Sequence, residues 1–191
     1  MTPPRDTAVT PESLQYPGRE FLIPRDRLSP AQQAFITRME SGPRGKAPIN
    51  QLVWMQHMPF AEVAERFGAY VSAEAPIPAR QKEICILLVA AFWDSAFEWH
   101  WHERLAHGAG ITREQIEAIR NGRSAHFDDD KEQATHDLMR ALLVEREVPD
   151  ALFERSLQTL GLEQVLDLVG LAGLYGMIAH TISFYRLRIP A

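Results

Sequence analysis

Residues 95–108 read Ser95-Ala96-Phe97-Glu98-Trp99-His100-Trp101-His102-Glu103-Arg104-Leu105-Ala106-His107-Gly108 and gather ionisable and aromatic side chains as no other stretch does. Wound as a helix at about 100° per residue, they put Ser95, Glu98, Trp99, His102, Leu105, Ala106 and Ala109 on one face. Ala96, His100, Glu103, Arg104 and His107 take the other, an ordinary wet face. The first face is apolar except for a hydroxyl, a carboxylate and an imidazole. Turning a carboxylate and an imidazole inward is costly unless they are paired. That cost is the first sign of chemistry.

Working outward, the preceding run from Ile84 to Trp93 is apolar almost all round and predicts a buried central helix starting near Ala79. Asp94-Ser95 offers an N-cap, so the two helices form a hairpin. Gly108-Ala109-Gly110-Ile111 closes the second helix, and Thr112 caps the next, which ends at Asn121-Gly122. The acidic link from Phe127 to Asp130 leads into a helix expected over Lys131–Arg146. Pro149 opens a further helix with Leu152, Phe153 and Leu157. Gly161-Leu162-Glu163 begins the last, strongly apolar one, expected to reach about Leu187 and to pack on the central hairpin. Upstream, Ser29-Pro30 starts a helix to about Glu40. Ile49–Met55 forms a short one, and Pro59 opens another, with Phe60, Val63, Ala64, Phe67 and Val71 as its stripe. The reading is all-α: eight or nine helices, no strand, and one domain over residues 25–191. Residues 1–24 carry Pro3, Pro4, Pro11, Pro17 and Pro24 and read as an extended arm.

Composition narrows the function. The chain has 191 residues, 46% hydrophobic and 24% charged, an ordinary globular balance. A net charge of −5 gives no basic footprint, so nucleic acid is not an expected partner. The one cysteine, Cys85, cannot form an intrachain disulfide or a two-thiol redox pair, and its apolar setting predicts a small buried hydrophobe. No membrane-spanning stretch and no signal core are expected, which makes the cytoplasm the default location.

The motif resembles the carboxymuconolactone decarboxylase family, whose relatives include the alkyl hydroperoxidase D-like proteins. The residues that carry the resemblance are Arg80-Gln81-Lys82-Glu83, then Phe97-Glu98-Trp99 with His102, Ala106, Gly108-Ala109-Gly110-Ile111 and Thr112. The stretches 114–122 and Leu168–Tyr175 fit the same pattern. The resemblance implies the multi-helical fold of that family, a homo-oligomer (dimer, trimer or hexamer) and a small-molecule carboxylate or lactone substrate. In the hydroperoxidase branch a Cys-x-x-Cys pair occupies the positions of Ser95 and Glu98, with His102 and Glu83 matching its histidine and earlier glutamate. A thiolate must attack the peroxide and a second thiol must resolve the sulfenate. A hydroxyl and a carboxylate do neither, so thiol peroxidase activity is disfavoured. The decarboxylase-like branch, which needs no disulfide, is the better match.

That branch implies loss of CO2 from a carboxylated lactone, γ-carboxymuconolactone or a related aromatic-catabolism intermediate, with no metal or organic cofactor. His102 is then the general acid/base, and Glu98 and Glu83 orient it or carry the proton. Two neighbouring carboxylates raise one pKa. Arg80 is the candidate clamp for a substrate carboxylate, and Ser95 and Trp99 are candidate substrate contacts, Trp99 as an apolar wall. Plainer readings stand beside these. Ser95-x-x-Glu98 fits a capping box, Glu83 suits a helix start, and His102 fits a hydrogen-bonded core histidine. His180 is a further, weaker candidate for the same core. Glu98, His102 and Glu83 also have donors for a shared metal ion. The alternatives to a decarboxylase are an isomerase or lactone hydrolase on the same scaffold, or a non-catalytic oligomeric binding protein.

Overall fold

The computed structural model describes residues 22–42 and 45–187. Most of the proline-rich arm, residues 1–21, therefore lies outside the described residues. Within them the chain is helical without a strand: α1 (Pro30–Glu40), α2 (Ile49–Trp54), α3 (Met58–Ala69), α4 (Ala79–Phe92), α5 (Ala96–Gly108), α6 (Arg113–Arg120), α7 (Asp130–Arg140), α8 (Asp150–Leu160) and α9 (Leu162–Tyr185). The all-α expectation holds.

Helix starts follow the local chemistry. Ser29 and Gln32 form a capping box at α1, and Thr112 and Gln115 form one at α6. The Asp129 side chain accepts from the N–H groups of Lys131 and Glu132 at α7. Two ends depart from the expected pattern. α3 runs into a π-helical turn at Tyr70–Glu74, and α7 stops at Arg140 and passes into another at Ala141–Glu145. The second turn closes with Arg146 at φ 59°, a left-handed residue that ends the helix.

The described chain divides into two compact units. The first comprises the residues up to Arg66 and those from Phe184 onward. In it Gln32 Nε2 donates to the Met55 carbonyl at 3.1 Å, and Trp54 meets Phe60 edge-on. The second, Phe67–Ser183, holds the motif. Its axis is α4, where Ile84 through Ala90 are all buried. α5, α6 and α7 pack against α4, and α8 packs on α7. α9 joins through side chains: the Cys85 thiol donates to the Leu168 carbonyl at 3.7 Å, and Gln164 donates to Gln81.

α9 corrects one expectation. It is 24 residues long with mean hydropathy 1.6, enough by length and composition to cross a membrane. The sequence reading overlooked this because Asp167 and the glycines interrupt the run. Its apolar window is 39% buried: Leu168 and Leu171 have no exposed surface, and Asp167 accepts from the Tyr70 hydroxyl at 2.9 Å. Leu105, expected on the inner face of α5, is 53% exposed.

Candidate active site

α4 and α5 meet at Trp93-Asp94-Ser95, where Asp94 takes φ 48° to reverse the chain. The hairpin brings Glu83, early in α4, opposite the middle of α5. His102 Nδ1 lies 2.8 Å from Glu83 Oε2, and His102 Nε2 lies 3.6 Å from Glu98 Oε2. One imidazole thus stands between two carboxylates, all three nearly buried: the side chains are only 10–12% exposed. The first distance is a hydrogen bond, with Nδ1–H donating to the Glu83 carboxylate. The second exceeds hydrogen-bond reach, so Nε2 faces Glu98 across a gap.

The two carboxylates are not equivalent. Burial pushes the Glu98 carboxyl above the usual carboxylate range, and the neighbouring His102 pulls it back only in part. Glu98 is therefore biased toward its protonated form. On the far side Tyr175 of α9 packs edge-on against the His102 ring, centroids 5.0 Å apart. Sequence reasoning did not single out Tyr175. It stood in the matched stretch of the last helix, and the signal that would have found it was an aromatic in an apolar helix expected to pack on the motif.

The remaining sequence-derived candidates separate. Ser95 does not cap α5. Its hydroxyl is buried without a hydrogen-bond partner among the described residues, and no side chain caps the helix. The capping-box reading of Ser95 and Glu98 is thus corrected. The Ser95 N–H is already given to the Ala90 carbonyl at 2.9 Å, and Glu98 has turned toward His102. Ser95 also sits at ψ 87°, whereas the capping residues Ser29 and Thr112 sit at ψ 158° and ψ 154°. Trp99 is 5% exposed, and the Arg120 guanidinium lies 5.0 Å over its ring. Its indole N–H likewise has no partner among the described residues.

The three guanidinium nitrogens of Arg80 all have protein partners. Nε and NH2 take the two Glu132 oxygens, the latter at 2.8 Å, and NH1 takes the Gly110 carbonyl. His180 packs on Trp93 at 4.3 Å and is exposed. Cys85 is fully buried, and burial followed by the nearby Glu83 charge drives its thiol far above the ordinary range. No group of three or more His, Cys, Asp or Glu side chains among the described residues is arranged to hold a metal ion.

Fold and cluster together define an all-helical protein with a buried carboxylate–imidazole–carboxylate array on a helical hairpin. Residues 59–141 match the model of the carboxymuconolactone decarboxylase family, the family that the motif resembles. With a single cysteine, the chain lacks a Cys-x-x-Cys motif. No curated protein sequence matches the chain. Among solved structures it is similar to a cysteine-to-alanine variant of the debrominase Bmp8 in complex with 2,3,4-tribromopyrrole. That likeness has a TM-score of 0.71 and 13% identity, and covers 93% of this chain and 95% of that one. At that identity it bears on the fold alone, and the fold is shared over nearly the whole length.

Proposed function

We propose that this chain is a cofactor-independent acid–base enzyme of the decarboxylase type, acting on a small carboxylated lactone such as γ-carboxymuconolactone. The observation that carries the reading is His102 held by Glu83 with its other nitrogen turned to a buried Glu98. Glu83 fixes the ring and balances the imidazolium. Glu98, held toward its protonated form by burial, is the second proton-bearing group.

The step balances without a bound cofactor. The C–C bond to the carboxylate breaks, CO2 leaves, and the electron pair passes into the unsaturated lactone as an enolate. An acid at His102 or Glu98 then gives a proton to ring carbon, and water restores that proton. The net change is one carboxylate and one proton converted to C–H and CO2. Arg80 enters this scheme as a tie between helices, because its donors are taken by Glu132 and Gly110. The structural neighbour's ligand, a tribrominated pyrrole, supports a small unsaturated ring as the kind of substrate this fold accommodates. A thiol step is not part of the reading, since Cys85 is closed off.

The test is CO2 release from γ-carboxymuconolactone with chelator present. His102→Ala is expected to lower turnover by about 10²–10⁴-fold, the usual worth of a general acid–base group, while leaving the helical circular dichroism unchanged. Absence of release by the natural protein would sink the decarboxylase reading. Full release by the mutant would sink the role of His102.

A further inference from the structure

One and two turns before His102, the start of α5 holds polar groups that the acid–base scheme leaves unused. Ser95 Oγ and Trp99 Nε1 are both buried and lack hydrogen-bond partners among the described residues, though their residues are only 7% and 5% exposed. Orphaned donors at such depth are rare and costly in a folded protein. They stand at i and i+4 on α5, on the face that also carries Glu98 and His102. Beside them the first-turn N–H groups of Phe97 and Glu98 have no side-chain cap. α2, α4 and α8 also start without a side-chain cap, so what sets the start of α5 apart is the pair of buried, unpartnered donors beside it. The Trp99 ring is held in place by Arg120.

From this arrangement we infer that the first turn of α5 binds an acceptor oxygen, the carbonyl oxygen of an unsaturated lactone, with Ser95 Oγ–H and Trp99 Nε1–H as its donors. The inference rests on the acid–base reading and adds the group that the substrate presents to the helix. Charge that flows into the lactone when CO2 leaves accumulates on that oxygen, where fixed donors and the positive helix end stabilise it most. A carbonyl fits better than a permanent carboxylate, because the adjoining Glu98 already sits where full negative charge is disfavoured by burial.

The test reads the Trp99 indole N–H by NMR, assigned through its loss in Trp99→Phe or, if that variant does not fold, by through-bond assignment. The probes are 2(5H)-furanone, which has the lactone carbonyl and no carboxylate, and acetate, which has the reverse. The expected result is a saturable downfield shift with furanone and none with acetate at the same concentration. Ser95→Ala should weaken furanone binding about 2- to 10-fold, the worth of one hydrogen bond. No shift, an equal shift with acetate, or unchanged affinity in Ser95→Ala would overturn the inference. Failure of CO2 release with the furanone shift intact would remove the decarboxylation reading and leave the donor pair. Release without the shift would do the opposite.

Discussion

Glu83 and Glu98 flank one imidazole, the first bonded to Nδ1 and the second facing Nε2. Because burial raises the Glu98 pKa, the folded protein holds a proton there that the unfolded chain releases near the ordinary carboxylate value. The group's contribution to stability is therefore fully present below that ordinary value and is lost as pH rises through the raised folded one. Glu98→Gln should accordingly gain thermal stability relative to the natural protein as pH increases. Melting curves at successive pH values check this, and a difference that stays constant with pH would refute it. The sequence already showed that Glu98 and His102 turn inward, since their spacing along one helix dictates it. It did not show that Ser95 fails to cap, because that depends on the backbone of a tight α4–α5 reversal placing the Ser95 N–H on Ala90.

Between elements, the firmest polar tie is the guanidinium of Arg80 on α4. It grips both oxygens of Glu132 on α7 and the carbonyl of Gly110, the residue that turns the chain after α5. Gly110 lies at φ 88°, a conformation that favours glycine, and a Cβ there would also sit tightly, 3.1 Å from Arg80 NH1. Arg80→Ala leaves a largely buried carboxylate without its partner and should cost about 1–3 kcal/mol in urea unfolding. Its effect on substrate KM should be small, whereas a residue clamping the substrate would show the reverse split. A second tie is also internal: His136, fully buried, accepts from the Ala125 N–H at 3.2 Å through Nε2 and faces Asp137 through Nδ1 at 3.1 Å. Helix positions and caps were legible because proline, glycine and capping residues act locally. The π-helical turns were not, since an extra residue in a turn leaves the apolar periodicity almost intact. The partners of Arg80 were hidden for a different reason: they lie 30 and 52 residues away in sequence.

At the scale of the whole molecule, the family resemblance was readable from the spacing of one helical hairpin, and the fold it implied is shared over nearly the full chain. The substrate was not, because the hairpin places an imidazole between two carboxylates and carries nothing of the shape around them. α9 also presents Leu162, Leu166 and Val169 to solvent, at 61%, 60% and 44% exposure, spaced along one face. We propose that this face is covered in a homo-oligomer. Light scattering should give a multiple of the 21.7 kDa chain mass, and Leu166→Glu should shift the population toward monomer. A natural protein that stays monomeric over a wide concentration range would refute the proposal.

The lone thiol, sealed between α4 and the Leu168 carbonyl of α9, turns an inert residue into a clock. An alkylating reagent reaches it only when those two helices part. The rate of Cys85 modification in the native protein therefore times the opening of the layer behind Glu83 and His102, with no probe added and no competing sulfhydryl to subtract.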